Sequence, residues 1–434
     1  MEKRSARPLL KGNKGVSLDF FPHRHRVGPI FILDISPLLW DVYEKKGPRE
    51  ITPIHKENKM KRAICVLVFI LGVGLTASVQ AQSTNKIGFG GPLSGPQTEI
   101  GKKALSGVQL AAEETNFKGG VLGKKIEVVP ADDEGKPEGA VNAANSLIKK
   151  GVVGVVGHWQ SACSFPASEV YAEKDIAMIT YASTNPKLTE RGLKNIFRTY
   201  GRDDEHGRIN GEFLVNALKK KRVAILHDKG AYGKMMAEVT GATVKKLGGE
   251  VVLFDGITPG EKDFRAILTK IKSLNPEALF YGGYYSDYGL ILKQAKELGA
   301  KWSWVSVGGT YDPELIKIAG DAAEGAFIQA ISLDAVKDQP AFKRFLQIFR
   351  EKYKGDPDLW AAIAYENADI LIEGIRRAKV AEPAKIISAI KGFKDYPGTL
   401  GPVTFNEKGD IVAPLLSMFQ VQNGKFVAHI TGLK

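Results

Sequence analysis

Arg222-Val223-Ala224-Ile225-Leu226, midway along a chain of 434 residues, is a short apolar run that starts a strand–helix series for the second time. The first series starts at Lys86-Ile87-Gly88-Phe89-Gly90, where a Gly/Pro turn leads into a helical pattern from about Ile100 to Asn116. It continues through apolar runs at 126–130, 152–156 and 176–180, with helical patterns at about 137–150 and from Phe165 onward. After Leu226 the alternation resumes with runs at 250–254, 278–281 and 304–307, one helix between each pair. Such alternation is the pattern of parallel sheets flanked by helices. Two series predict an α/β protein of two doubly wound parallel-sheet lobes. Three late helices (about 342–353, 360–378 and 383–392) and strands at 402–405 and 415–421 must then cross back, which predicts a hinge of several strands. The expected division is 83–202 with 332–406, and 203–331 with 407–434. Ligands in such sheets bind beyond the carboxyl ends of the strands. Two facing lobes would share one cleft, closed by hinge motion.

Ahead of the first strand lies a different signal. Met60-Lys61-Arg62 precedes an apolar run, Ala63 to Leu75, and then small residues at Val79 and Ala81. A basic start, a short apolar stretch and a small-residue cleavage site make a signal peptide, here residues 60–81. The run falls short of the ~20 apolar residues that span a bilayer. A periplasmic mature chain starting near Gln82 is expected, and residues 1–59, without clear periodicity, read as a non-native or disordered extension, with translation starting at Met60. Those first 59 residues carry 12 basic and 7 acidic side chains, and Lys61 and Arg62 add two more, so the formal +13 falls to about +6 in the mature part. No Lys/Arg cluster is interleaved with aromatics, which argues against a nucleic-acid partner. Of the two cysteines, Cys65 would leave with the signal peptide and Cys163 would stand alone, so neither an intrachain disulfide nor a thiol metal framework is expected.

Binding chemistry gathers at strand ends. Gly157-His158-Trp159-Gln160-Ser161 lies past a strand and before a helix, whose free N–H groups suit a carboxylate. Ala182-Ser183-Thr184 follows the next strand with further hydroxyls, although Ser161 and Thr184 also read as helix caps. Tyr232 and Tyr284, the latter directly after Gly282-Gly283, are placed to wall a cleft with their rings. Asp203, Asp204 and Asp287 are available carboxylates for an ammonium group. Catalytic patterns are missing: there is no Walker A loop, no G-x-S-x-G elbow, no H-E-x-x-H, and Gly88-Phe89-Gly90-Gly91-Pro92 completes no dinucleotide fingerprint. Cys163 and His158, five residues apart, make no dependable nucleophile–base pair. A binding protein without catalysis, cofactor or metal is the reading that remains.

The mature chain resembles the periplasmic leucine/isoleucine/valine-binding family of ABC importers, with the type I periplasmic-binding fold. The resemblance is carried by Gly91-Pro92-Leu93-Ser94-Gly95-Pro96, Ile179-Thr180-Tyr181-Ala182-Ser183-Thr184, Phe254-Asp255-Gly256-Ile257-Thr258-Pro259-Gly260, Tyr281-Gly282-Gly283-Tyr284 and Asn406-Glu407-Lys408-Gly409-Asp410. It implies that Ser161 and the Ala182-Ser183-Thr184 segment hold a ligand carboxylate and that Tyr232 and Tyr284 line the other lobe. It also implies that Trp360 and Ile100 border the side-chain pocket, and that Asp203 stands at the crossover. The implied ligand is a branched-chain or similar amino acid, the implied partner a membrane permease, and the expected state a monomer. Two departures stand out. Gly308 occupies the position of a family glutamate that pairs with the ligand ammonium, and Gly135 and Gln160 occupy the positions of a family disulfide. Gly308 leaves two alternatives: Asp203 or Asp287 supplies the counter-charge, or the ligand is an amine-free carboxylate or short amide.

Overall fold

The computed structural model describes residues 84–412 and 416–433, so the expected extension (1–59) and signal peptide (60–81) lie outside the described residues. Five strands, β1 (Asn85–Gly91), β2 (Ile126–Asp132), β3 (Gly154–Val156), β4 (Ala177–Thr180) and β5 (Ile196–Arg198), form one sheet in the order β2-β1-β3-β4-β5. Every neighbouring pair in it is parallel.

The second sheet takes β6 (Arg222–His227), β7 (Glu250–Gly256), β8 (Ala278–Gly282), β9 (Ser303–Ser306) and β10 (Phe327–Ala330). After a separate hairpin of β11 (Tyr396–Gly398) and β12 (Gly401–Val403), it adds β13 (Leu416–Gln422) and β14 (Lys425–Leu433). Its order is β14-β13-β10-β9-β8-β6-β7, parallel from β7 to β10 and antiparallel for the last two strands. Each sheet begins on an inner strand, moves out to one edge and returns to build the other side, which is the doubly wound pattern.

Helices α1 (Thr98–Phe117), α2 (Pro137–Lys149), α3 (Ser161–Ala172) and the single turn α4 (Lys187–Glu190) follow β1 to β4. Then α5 (Asp203–Glu212) leads into the second lobe, where α6 (Gly233–Lys246), α7 (Arg265–Ser273), α8 (Tyr285–Glu297) and α9 (Pro313–Ala319) follow β6 to β9. The late helices α10 (Pro340–Tyr353), α11 (Leu359–Ala378) and α12 (Pro383–Lys391) precede the C-terminal strands. Helix α11 lies along α1 and against β3 and β4, so the chain has returned to the first sheet before β13 and β14 complete the second. The approach of α1 to α11 needs Gly107, because a Cβ there would stand 2.1 Å from the Ala361 carbonyl oxygen. The structure thus contains two sheets in two lobes, with crossings after β5, after β10 and after β12.

Some elements differ from expectation. The run at 402–405 is a strand only in its first half; β12 ends at Val403 and forms a two-stranded sheet with β11. Strands β5, β10 and β14 were not anticipated, for reasons of composition taken up below.

Candidate functional site

The carboxyl ends of the two sheets meet around a small cavity with an empty volume of about 250 Å³. On the first lobe its wall is Trp159 and Ser161, between β3 and α3, with Ala182 beyond β4. Across from them stand Tyr232, before α6, Tyr284, before α8, and Gly309, beyond β9. Trp360 from the first turn of α11 and Tyr200 beyond β5 close the remaining side.

The rings form a continuous cage. The Trp159 ring lies 4.8 Å from that of Tyr284 and meets Trp360 edge-on at 5.7 Å. Tyr200 stacks on Trp360 at 5.9 Å, and Tyr232 lies 5.5 Å from Tyr284. Aromatic pairs at such spacing give a rigid apolar wall while leaving polar tips available. The Tyr232 hydroxyl accepts a hydrogen bond from the Gly309 N–H at 3.1 Å, which fixes the loop after β9.

A second set of residues holds the polar end. Ser161 opens α3 and is buried, close to the Asn185 N–H at 3.4 Å. Thr180 donates to the His158 carbonyl at 2.6 Å and accepts from the Ser183 N–H at 2.9 Å, so the loops after β3 and β4 are stitched together. Ser183 spends its hydroxyl on the Trp159 carbonyl (3.1 Å) and on Ser164 (2.7 Å). Below the loop, buried Arg198 donates to the carbonyls of Ser183 (3.0 Å) and Asn185 (2.9 Å) and to Asp410 (2.6 Å). Thr184, also buried, has a hydroxyl with no partner in good geometry.

Asp203, predicted as a ligand-binding carboxylate, lies outside the cavity lining. It is fully buried, and neither carboxylate oxygen has a hydrogen-bond partner in good geometry. Burial pushes its carboxyl up to about 7, while the Thr184 hydroxyl and the Arg198 guanidinium pull the other way. Its charge reaches the Tyr232 and Tyr284 hydroxyls. The Tyr200 hydroxyl is likewise buried without a hydrogen bond in good geometry, and burial raises its phenol against a smaller pull from the Ile331 backbone. A Cβ on Gly308 would lie 2.1 Å from that hydroxyl oxygen, so Tyr200 stands where a side chain at 308 would begin.

The expected residues divide accordingly. Ser161, Ala182, Tyr232, Tyr284 and Trp360 line the cavity. Ser183 and Thr184 lie behind Ala182, the former committed to the loop. Ile100 does not border the cavity; it is buried among the core residues of α1. Asp287 sits in the first turn of α8 and accepts from the Gly260 N–H at 3.0 Å, so it anchors the loop before α7 instead of facing the cavity. Sequence reading missed Trp159, Tyr200 and Gly309. Trp159, two residues before Ser161, was within reach of the same strand-end argument; Tyr200 follows a strand too short to recognise. Among the described residues no group of three or more His, Cys, Asp or Glu could hold a metal ion, and no helix is long and apolar enough to cross a membrane.

Comparison with known proteins bears on this geometry. Residues 84–425 match a family described as periplasmic binding protein. The Leu/Ile/Val-binding protein BraC3 of Rhizobium johnstonii is 37% identical over 363 residues, covering 83% of this chain and 98% of the relative. A leucine-, isoleucine-, valine-, threonine- and alanine-binding protein of Pseudomonas aeruginosa is 36% identical over 340 residues, 78% of this chain and 90% of its own. Among solved structures, the branched-chain amino acid transporter substrate binding protein LivJ of Streptococcus pneumoniae, in complex with isoleucine, matches with a TM-score of 0.75 at 28% identity. That match covers 80% of this chain and 99% of LivJ.

Proposed function

From the premise that this chain belongs to the periplasmic binding protein family, we propose that it is the solute receptor of an ABC importer and captures a branched-chain or similar amino acid between its lobes. The ligand carboxylate lies against the Ser161 hydroxyl, the N-terminal N–H groups of α3 and the Thr184 segment. Its apolar side chain packs among Trp159, Tyr284 and Trp360. Its ammonium faces Asp203 and the Tyr200 hydroxyl. Nothing in this scheme makes or breaks a covalent bond. The closed form is what a membrane permease would receive, and residues 60–81 would direct export. Protein from the native cell should then begin near Gln82, and an N-terminus upstream of Met60 would overturn the export scheme.

The observation that carries the amine-bearing ligand is the fully buried carboxylate of Asp203, which has no hydrogen bond in good geometry. An isolated buried charge is expensive unless it is paired. An ammonium in the cavity would pair it, whereas an amine-free acid would add a second anion. Gly308 leaves no side chain to share the task, and with Tyr200 in place none would fit. The test is calorimetric titration with leucine, isoleucine and valine beside 4-methylpentanoate, the amine-free twin of leucine. Binding of the amino acids alone is expected; binding of 4-methylpentanoate with none of the amino acids would overturn the reading.

A further inference from the structure

Behind Trp360 lies a second, larger cavity, with an empty volume of about 700 Å³. Trp360 borders both, so one indole separates them. The wall is aromatic on the side of the second lobe, where Tyr311 lies 4.7 Å from Phe419 and 4.5 Å from Phe426 between ring centres. It is acidic elsewhere, with Asp312, Asp334 and Asp358 all in the lining. Asp312 and Asp358 cap α9 and α11 through the N–H groups of Glu314 and Ala361, both at 2.9 Å. They share one cation, the Lys103 ammonium, at 2.9 and 3.3 Å. Asp334 is exposed and has no ion-pair partner among the described residues. Three carboxylates against one ammonium leave the wall negative. Burial pushes the Asp358 carboxyl up, and neighbouring Asp312 adds to the shift against the pull of Lys103. Ser332 also belongs to the lining; it is fully buried and its hydroxyl has no hydrogen-bond partner.

Aromatic faces beside carboxylates attract cations through the ring quadrupole and the charge together. We propose that this cavity is a second binding site, for a small alkylammonium cation that pairs with Asp334 and lies against the Tyr311 and Phe426 rings. The Lys103 bridge stays in place. Because Leu359 and Trp360 come from the helix that packs on the first sheet while Tyr311, Phe419 and Phe426 belong with the second, the cation binds the closed protein better than the open one. It therefore strengthens capture of the amino acid without touching it, and the coupling is reciprocal.

Tetramethylammonium chloride, titrated against sodium chloride at matched ionic strength and followed by broadening of its methyl NMR signal, tests the site on the ligand-free mature protein. Saturable broadening is expected, lost in Asp334→Asn and weakened at least tenfold in Phe426→Leu, two changes away from the first cavity. With leucine saturating, the probe should bind about fivefold tighter, the lower end of ordinary coupling. Equal broadening in D334N, or competition between probe and leucine, would overturn the proposal. Failure of leucine to bind would strike the amino-acid reading and leave the direct probe titration standing.

Discussion

Asp203 makes the ligand question one of proton balance. Its carboxyl is pushed up to about 7 by burial, among Arg198, Arg202 and Asp204 and one turn from neutral His206. Below that pH the empty site keeps the proton and an incoming ammonium must expel it. Leucine affinity should therefore rise with pH up to about 7 and then level, while D203N removes the slope. Truncating one partner of a buried charge pair costs about 2–5 kcal/mol, so D203N should also weaken leucine binding by that amount in calorimetry. Gly308 gives the complementary test. G308A would place a methyl carbon on the Tyr200 hydroxyl, and leucine binding should fall at least tenfold in calorimetry. An unchanged affinity in G308A would show that Tyr200 swings away freely.

Helices meet across the cleft through few polar ties, and Lys103 is the most telling. It reaches from α1 to the caps of α9 and α11, which belong to opposite lobes. Burial works against its charge, yet Asp358 and Asp312 outweigh that and hold its ammonium above the usual lysine range. K103M would leave two carboxylates facing each other. The site is about one-third exposed, so the loss is set at about 1 kcal/mol, roughly fivefold in ligand affinity. X-ray scattering of the unliganded variant should show a larger radius of gyration, and an unchanged radius would count against the tie. Inside the first lobe, Glu366 of α11 accepts from the Leu400 N–H at 2.5 Å, and burial pushes its carboxyl up to about 8, Asp369 adding to it. The folded state therefore keeps this proton where the unfolded chain loses it. Stability is lost as pH rises from the usual 4.5 to about 8 and is flat above. E366Q should raise the melting temperature at pH 8 more than at pH 5; equal gains at both would refute the assignment.

At the scale of the molecule, the sequence made the two lobes legible because most core strands are uninterrupted apolar runs between amphipathic helices. Besides β11 of the small hairpin, three strands of the two main sheets escaped that reading. β5 has three residues and one of them is Arg198, whose ion-pair partner Asp410 stands far along the chain. β10 carries a buried Gln329, paired with Asn210 at 3.0 Å. β14 is a mostly exposed edge strand whose half-buried Phe426, Ile430 and Leu433 do not recur at the two-residue period of a strand. The cavity was legible where a residue follows a recognised strand, as with Ser161 and Tyr284. Asp287 does not line the cavity because the first turn of α8 carries it toward the Gly260 loop, a rotation that strand-end position alone does not predict. Tyr200 failed because its strand was unseen.

The crossing after β12 has a consequence in time as well as in space. Strand β13 sits between β10 and β14, so the second sheet is unfinished until residue 433 is available, although β6 begins at residue 222. The first lobe waits almost as long for α11 and α12. Pairings this distant in sequence form slowly, because loop closure precedes the contacts that reward it. A nascent chain emerging from its amino end therefore stays incompletely folded until synthesis is nearly over, with the β10 edge open to wrong partners. Truncation after residue 412 should yield an aggregating product in place of a smaller receptor, as sedimentation of the refolded fragment would show.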